Sequence, residues 1–385
     1  MNDAYAIQVP RDVRFGCGVL SQIPRFLPER IGTVLVVSGR HAAAEAERIR
    51  LLLKQSGREA ETHVVASGGE ASVDDVDAIA RSARKAKADA ILAIGGGSVM
   101  DASKAAAAIA PLNGPCVDWF YGRRALPGKG LFFAAVPTTA GTGAEMTNNA
   151  VLIDPETSVK QSLRSPDMTA DLAVVDPELT LGCPAAVTAS SGLDAFVQAV
   201  ESYASPRATA FSQALSLTAA KKIAGALFQA YRKPDDLASR TEAAEGSMLA
   251  GMAFAQAGLG AVHGIAHPIG ALLHVPHGVA CAILMTPVFR FNARTRPDAY
   301  AELARALNCG ASAEDFLLMA DALRGSVGVP DSFQSCGLDA KHIPFIVANC
   351  RSGSMKNNPV FMTDEDVASL VEELTRPREE GGEKA

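Results

Sequence analysis

The sequence predicts an α/β domain followed by an all-helical domain. Short apolar strands alternate with helical stretches as far as Asp176-Pro177, and beyond that point the chain is helical, with proline and glycine as breaks. Such alternation predicts a parallel sheet covered by helices on both faces, which binds ligands at the carboxyl ends of its strands. Because 385 residues exceed one average domain, we expect two domains, 1–181 and 182–385.

The elements of the first domain follow from local composition. Its predicted strands are short and rich in β-branched or small apolar residues, as buried parallel strands are. They cover residues 33–38, 63–66, 90–94, 132–136 and 172–175, with a hairpin between about 150 and 165. Helices are expected over 41–55, after the N-cap Ser72, and over 98–109.

Composition limits the class of protein. A hydrophobic content of 48% with 20% charged residues is typical of a globular chain. The net charge of −6 predicts neither nucleic acid nor a membrane as partner. Seven scattered cysteines without CxxC spacing argue against disulfides and against a thiolate zinc site. With no signal-like start and no long apolar run, we expect a cytoplasmic protein.

A glycine-rich turn follows the strand over 90–94. Gly95, Gly96 and Gly97 let the backbone approach a pyrophosphate closely, and the helix that begins near Ser98 points its free N–H groups at the same place. The turn is not a GxGxxG motif, because position 100 is methionine. We predict phosphate binding here, with a plain strand–helix turn as the alternative.

Two further polar groups belong to this region. The loop after the strand over 132–136 contains Thr138, Thr139 and Thr142, whose hydroxyls suit a polar ligand, although a connecting loop is an equal alternative. In the helix after the glycines, Asp101 is expected as a first-turn acid and Lys104 as an exposed lysine.

Four of the seven histidines lie within fifteen residues, at 263, 267, 274 and 277. His263 and His267 are four apart and share one helix face, while His277 follows Pro276 on a predicted loop. Imidazoles gathered from a helix and a loop predict a site for a borderline metal, and satisfied core histidines are the alternative. His274 is expected at the surface.

The metal requires a carboxylate, and Asp194 is the candidate. Asp194 and Gln198 share one face of a predicted helix that is otherwise apolar, and an ionised aspartate there is costly to bury unless it is paired or coordinating. Glu201, or an interdomain salt bridge, is the alternative. Cys281 is expected to be a small buried hydrophobe.

Taken together and in order, these motifs resemble the iron-containing (group III) alcohol dehydrogenase family over nearly the whole chain. The segments concerned are GGGSVMDASK, PTTAGTGAEMT, LAVVDPELT, GLDAFVQAVESY, VHGIAHPIG, VPHG and SMKNNPVFMT. The resemblance implies a dehydroquinate synthase-like fold: an N-terminal dinucleotide-binding domain, a C-terminal helical domain for metal and substrate, and an active site in the cleft between them. It also implies a homo-oligomer, expected to be a dimer.

The resemblance implies roles for individual residues. The metal ligands would be Asp194, Gln198, His263 and His277, with His267 as the catalytic residue that handles substrate or proton. The expected residues for NAD or NADP are Gly39, Arg40, Gly69, Gly95, Gly96, Gly97, Ser98, Asp101, Thr138, Thr139, Thr142, Lys160 and Leu179.

Two positions depart from the family pattern. Members with four metal ligands carry histidine where this chain has Gln198, and an amide oxygen is a weak ligand for Fe²⁺ or Zn²⁺. The centre could therefore be an open zinc-like site, an iron site of reduced affinity, or unused. Many NAD-using members carry an acid where this chain has Gly39; glycine removes its repulsion of a 2′-phosphate, and Arg40 could attract that group. We expect NADP to be tolerated.

The leading hypothesis is metal-assisted hydride transfer between NAD(P) and a small alcohol or its aldehyde or ketone. A reductase of an anionic carbonyl, such as a keto acid, maleylacetate or a phosphonate aldehyde, is an alternative motivated by Lys160 and Arg164. A non-redox lyase of the dehydroquinate synthase type and a non-catalytic dinucleotide-binding module are the others.

Overall fold

A computed structural model of the protein describes residues 4–66 and 69–376. These residues form two compact units, and the chain divides between Cys183 and Pro184. The division falls just after residue 181, the boundary that the sequence predicts. The first unit contains every strand of the described chain, and the second is helical, so the predicted fold class is confirmed.

The strands of the first unit are β1 Asp12–Phe15, β2 Thr33–Ser38, β3 Glu59–Val64, β4 Ala90–Gly95, β5 Phe132–Pro137, β6 Asn149–Asp154, β7 Val159–Arg164 and β8 Leu172–Val175. Six of them form a parallel sheet with strand order β1-β8-β5-β4-β2-β3, and β6 and β7 form a two-stranded antiparallel ribbon. Every neighbouring pair in the large sheet runs parallel, and the pair β2–β4 aligns Val34 with Ala90 and Ser38 with Ile94.

The α-helices of the first unit are α1 Ile23–Phe26, α2 Ala43–Gln55, α3 Val73–Ala86, α4 Gly97–Ile109 and α5 Cys116–Phe120. Those of the second are α6 Ala185–Ala204, α7 Ala210–Arg232, α8 Leu237–Ala257, α9 Ala261–Leu273, α10 His277–Ala293, α11 Pro297–Ala306, α12 Ala313–Ser326, α13 Ile343–Asn349, α14 Gly353–Lys356 and α15 Asp364–Glu373. Short 3₁₀ helices cover Val19–Gln22, Arg40–Ala42, Ala144–Met146, Pro166–Met168, Pro177–Thr180, Gln334–Cys336 and Ala340–His342.

Alternation along the central strands builds two cores, one on each face of the sheet. Leu35 and Val37 of β2 pack into the core formed with α3, α4 and α5. Their neighbours Val34 and Val36 pack into the core formed with α1 and α2. Because successive side chains of a strand point to opposite faces, an uninterrupted apolar run is what a strand covered on both sides requires.

The two edge strands are where the sequence-based assignment was wrong. β3 runs over Glu59–Val64 rather than 63–66, and its polar sequence EAETHV is largely exposed. β1, with sequence DVRF, was not predicted at all, although it pairs with β8. An edge strand needs few apolar side chains, so the search for apolar runs misplaced one and missed the other.

The helical unit is built around α6. Every residue of this helix from Gly192 to Ala204 is buried, which is unusual for a helix that carries Asp194, Gln198 and Glu201. The beginning of α10 lies directly against α6, because a Cβ at Gly278 would be only 2.1 Å from the carbonyl oxygen of Ser190. Glycine at 278 therefore permits the contact that brings α10 beside the polar residues of α6.

No single helix of the described chain has both the length and the apolarity that a membrane span requires. One bent pair, Leu237–Ala257 with Ala261–Leu273, passes the same test jointly, with an angle of 103° at its break.

The α6–α10 contact can be tested by comparing two glycine-to-alanine variants. Gly278→Ala forces the two helix backbones apart, so we expect a loss of about 1–3 kcal/mol in the free energy of unfolding. Gly225→Ala is the control, because Gly225 lies inside α7 with no atom within 4 Å of the added Cβ. We expect it to stabilise by about 0.5–1 kcal/mol. Urea denaturation of both variants measures the difference, and equal stability of the two would contradict the close contact.

Candidate metal centre

Three polar residues of α6 are buried beside one histidine of α9. Asp194, Gln198 and Glu201 are 3%, 3% and 4% exposed, and His263 is 2% exposed. Positions 194, 198 and 201 are spaced four and three residues apart, so they form one stripe along the helix. Polar groups this deeply buried must be hydrogen-bonded or must bind a ligand.

Asp194 lies at the centre of the cluster. Its Oδ1 lies 3.2 Å from Nε2 of His263 and 3.9 Å from Nε2 of His277. Cys281 adds its Sγ at 3.6 Å from Nε2 of His277. One ligand atom from each of these four residues lies within 4.8 Å of the other three. The structure thus brings together Asp194, His263 and His277, as predicted, and adds a thiol.

Glu201 fixes the orientation of His263. Its Oε2 is 2.6 Å from Nδ1 of His263, and its Oε1 accepts a hydrogen bond from the backbone N–H of Val262 at 2.7 Å. The second bond satisfies one of the free N–H groups at the beginning of α9, whose N-cap Gly260 has no side chain to do so. With Nδ1–H donating to Glu201, the lone pair of Nε2 points towards Asp194, the arrangement typical of a metal-binding histidine.

His277 does not lie on a loop, contrary to the prediction. It is the first residue of α10, and Pro276 is the N-cap. A proline can mark the start of a helix as well as a turn, because its missing N–H is not needed at a helix N-terminus. His277 and Cys281 are therefore one turn apart on the same face of α10.

Gln198 leaves one polar atom unsatisfied. Its Nε2 donates to Oδ2 of Asp194 at 2.9 Å, while its Oε1 is buried without a hydrogen-bond partner among the described residues. An unpaired buried acceptor costs about 1–3 kcal/mol. This orphaned atom beside the carboxylate is what a ligand-binding site leaves open, and the donor set around it (carboxylate, two imidazoles and thiol) fits a divalent transition metal.

The four groups also perturb each other's ionisation. Burial disfavours every charged form, but the attraction between the groups outweighs it. The imidazoles of His263 and His277 lower the pKa of Asp194 and of Cys281, and the two acidic groups raise the pKa of both histidines. Since a metal binds the lone pair of a neutral imidazole nitrogen, an ion at this point would compete with protons for the two histidines.

The other two histidines of this stretch, His267 and His274, lie in different surroundings. The His267 ring stacks on the His277 ring with centroids 5.3 Å apart and is partly exposed, so it lies beside the cluster. His274 is exposed, as predicted, and ends α9 in the left-handed conformation with φ of 54°.

In the first unit, the glycine turn and the threonine loop meet. A Cβ at Gly97 would lie 2.8 Å from Cγ2 of Thr142, and one at Gly96 would lie 3.7 Å from Oγ1 of Thr139. The backbone N–H of Thr138 donates to the carbonyl oxygen of Gly95. Helix α4 begins at Gly97 and has no side-chain cap, and Gly96, Gly97 and Ser98 are partly exposed. Their N–H groups are thus placed to bind an anion.

Other predicted cofactor residues lie around this turn or on neighbouring elements. Gly39 sits against the first turn of α4, since its Cβ would be 3.2 Å from Cγ2 of Val99. Arg40 is exposed and donates to the carbonyl oxygen of Ala66 at 3.0 Å. Gly69 is exposed, and Lys160 forms an ion pair with its neighbour Glu70. Leu179 packs against the core on the α1–α2 face of the sheet.

Lys104 is buried rather than exposed, so that prediction was wrong. Its Nζ donates to the carbonyl oxygens of Ala144 and Asn149 and to Oγ1 of Thr147. Asp101, 4.0 Å away, accepts from the backbone N–H of Val151. Burial lowers the pKa of Lys104 to about 8 and raises that of Asp101 to about 6. Both side chains thus tie α4 to the segment that leads into β6.

The sequence analysis did not assign Cys281 to the centre, and it did not predict that Glu201 orients His263. Each carried a signal in its spacing: Cys281 follows His277 by four residues, and Glu201 follows Asp194 by seven. Both intervals return to the same helix face.

Comparison with known proteins places this geometry among dehydrogenases. The family described as "Iron-containing alcohol dehydrogenase" matches residues 10–177, and "Fe-containing alcohol dehydrogenase family, C-terminal" matches residues 188–375. The chain is 36% identical over 298 residues to the 1-propanol dehydrogenase PduQ of Salmonella typhimurium, covering 74% of this chain and 77% of that protein.

Solved structures agree over the full length. The alcohol dehydrogenase from Oenococcus oeni superimposes with a TM-score of 0.90 at 31% identity, covering 96% of this chain and 100% of that one. The sulfoacetaldehyde reductase from Bifidobacterium kashiwanohense, solved in complex with NAD⁺, has a TM-score of 0.90 at 28% identity, with 97% and 99% covered.

The orienting role of Glu201 predicts a specific loss. Glu201→Gln removes the charge that holds Nδ1–H of His263, so we expect Zn²⁺ affinity to fall about 10- to 100-fold. Glu302→Gln is the control, because Glu302 also accepts a hydrogen bond from a residue of α6, the Tyr203 hydroxyl, outside the cluster. Competition with a chromophoric chelator measures both dissociation constants. Equal losses of Zn²⁺ affinity in the two variants would contradict the role assigned to Glu201.

Proposed function

The chain belongs to the iron-containing alcohol dehydrogenase family, and we propose that its helical unit binds the divalent ion through Asp194, His263 and His277. The enzyme interconverts an alcohol and its aldehyde or ketone by hydride transfer with NAD(P), and a divalent metal is its second cofactor. The observation that carries the assignment is the convergence of these three side chains on one buried point. An enzyme that transfers hydride is neither a non-redox lyase of the dehydroquinate synthase type nor a non-catalytic dinucleotide-binding module.

The proposed substrate is a small uncharged alcohol or aldehyde, as the name of the 1-propanol dehydrogenase relative suggests. The anionic alternative relied on Lys160 and Arg164. The charge of Lys160 is paired with Glu70, which weakens that motive, although a sulfoacetaldehyde reductase of Bilophila wadsworthia is also 32% identical. An anionic aldehyde therefore belongs in the substrate panel.

The residues of the centre have different proposed roles in the reaction. A bound divalent ion would supply Lewis-acid polarisation of the substrate oxygen. Glu201 keeps Nδ1 of His263 protonated, and Gln198 holds Oδ2 of Asp194, which leaves Oδ1 free for the ion. His267 is partly exposed beside His277, and its imidazole can accept the proton of the alcohol and pass it to solvent.

For the cofactor, we propose that Gly95, Gly96, Gly97 and Ser98 bind the pyrophosphate at the beginning of α4, with Thr138, Thr139 and Thr142 around it. Gly69, Lys160 and Leu179 are proposed as further contacts, and Asp101 as a support of α4 through Val151. Gly39 and Arg40 would accept the 2′-phosphate of NADP, because an exposed guanidinium stands there and no carboxylate occupies position 39.

A cytoplasmic homodimer is part of the same proposal. No disulfide joins any of the seven cysteines, all of which lie in the described part of the chain, and this suits a reducing compartment. Light scattering on the purified protein measures its oligomeric state.

The reaction is tested by following reduced nicotinamide absorbance with propanal and with sulfoacetaldehyde, before and after metal removal. We expect turnover with propanal that falls on chelation and returns with Zn²⁺ or Fe²⁺. His263→Ala should lower kcat/KM at least about 100-fold, because it removes a ligand of the Lewis acid. His274→Asn is the control, since asparagine tolerates the left-handed backbone. No oxidation of NADH or NADPH under any of these conditions overturns the proposed function.

The proposed binding of NADP is tested by removing the positive charge at position 40. Arg40→Ala should raise KM for NADPH about 5- to 10-fold and leave KM for NADH nearly unchanged, because only the 2′-phosphate requires the guanidinium. Arg48→Ala, an exposed arginine on α2, loses the same charge away from the glycine turn and serves as control. Equal effects of Arg40→Ala on both cofactors would contradict the assignment.

A further inference from the structure

We propose that Cys281 is a metal ligand of this chain, and that its thiolate makes the centre prefer Zn²⁺ to Fe²⁺. The inference rests on the proposed function for the other ligands, Asp194, His263 and His277. It departs from the sequence-based expectation on two counts: a cysteine expected to be a buried hydrophobe becomes a ligand, and the fourth donor comes from α10 rather than from position 198 of α6.

The distances suit a tetrahedral ion. With a metal–sulfur bond of about 2.3 Å and a metal–nitrogen bond of about 2.0–2.1 Å, the sulfur and nitrogen of a tetrahedron lie about 3.5 Å apart. Sγ of Cys281 lies 3.6 Å from Nε2 of His277. The Asp194 oxygen lies 3.2 Å and 3.9 Å from the two imidazole nitrogens, on either side of the about 3.4 Å that the same bond lengths imply.

The surroundings of Cys281 are not those of a small hydrophobe alone. The residue is 0% exposed, yet its sulfur shares the cluster with one carboxylate and two imidazoles. Spacing explains how it arrives there. His277 and Cys281 are one turn apart at the beginning of α10, and the close approach of Gly278 to Ser190 brings that turn against α6. Two donors from one helix face therefore complement the carboxylate from the other helix.

Gln198 cannot replace the thiolate as a ligand of comparable strength. Its Nε2 is committed to Oδ2 of Asp194, and the neutral amide oxygen is a weak donor for zinc or iron. Its role is to position Asp194, so that Oδ1 faces the histidines. The centre therefore offers one oxygen, two nitrogens and one sulfur.

This donor set determines the metal preference. Thiolate is a soft ligand that favours zinc, and divalent zinc binds nitrogen and sulfur sites more tightly than Fe²⁺ does. Zn²⁺ also accepts four-coordinate tetrahedral geometry without an electronic penalty. The family is named for iron, but the thiolate favours zinc in this chain.

The experiment uses the full-length protein, stripped of metal and then loaded with Co²⁺ or Zn²⁺. We expect a strong near-ultraviolet sulfur-to-cobalt charge-transfer band, and a single sulfur neighbour at about 2.3 Å from zinc in X-ray absorption spectra. Cys281→Ser should lose both signals. Cys350→Ser, which changes another buried cysteine of the helical unit whose sulfur bonds only to the Val347 carbonyl oxygen in the described structure, should keep them.

Competition between Fe²⁺ and Zn²⁺ measures the metal selectivity of the centre. With equimolar Fe²⁺ and Zn²⁺ under anaerobic conditions, elemental analysis should find mainly zinc in the wild type, and Cys281→Ser should lower the zinc-to-iron ratio at least about tenfold. An unchanged ratio overturns the selectivity that we assign to the thiolate.

The wild-type spectra alone can overturn the ligand assignment, whether or not the variant folds. Cobalt or zinc bound without a sulfur signal removes Cys281 from the centre, and so does failure to take up either metal. If a sample that binds the metal without a sulfur signal still turns over an aldehyde, the proposed function stands while the inference fails; turnover without any bound metal would contradict both. A sulfur signal without turnover of any aldehyde supports the ligand assignment and contradicts the proposed function.

Discussion

The carboxylate of Glu201 is the contact on which the helical unit depends. It accepts from the first turn of α9 through Val262 and from Nδ1 of His263, so one buried side chain both begins a helix and orients a ligand. Without it, the Val262 N–H at the start of α9 would be unsatisfied, next to an imidazole of undefined tautomer. The position of His263 relative to Asp194 follows from this bond.

Burying three polar residues on α6 is costly, and the structure offsets the cost locally. Glu201 bonds to α9, Asp194 faces two histidines, and Gln198 donates to Asp194, which leaves one amide oxygen without a partner. A helix that served only as core would carry apolar residues at these positions. The polar stripe therefore marks a binding site, and its neighbours in α9 and α10 are arranged around it.

The sequence allowed the sheet, the helical unit and the convergence of Asp194, His263 and His277 to be predicted, because the first two follow from local periodicity and the third from several motifs in order. What it missed depends on tertiary context. β1 and β3 lie at the sheet edges, where little burial is required. Lys104 is buried because three oxygens from another segment meet its ammonium group. Cys281 was expected to be a small hydrophobe because its four-residue spacing from His277 matters only on a helix, and His277 was expected on a loop.

Gln198 and Cys281 are best understood together. Each lies one helical turn beyond a proposed ligand, Gln198 after Asp194 on α6 and Cys281 after His277 on α10. The two helices touch where Gly278 meets Ser190, so donors from either helix can reach the same point. In the proposed centre the fourth donor comes from α10, while Gln198 donates a hydrogen bond to Asp194. In this proposal the ligand set follows from where the two helices meet, and the preference for zinc follows from the thiolate that α10 supplies.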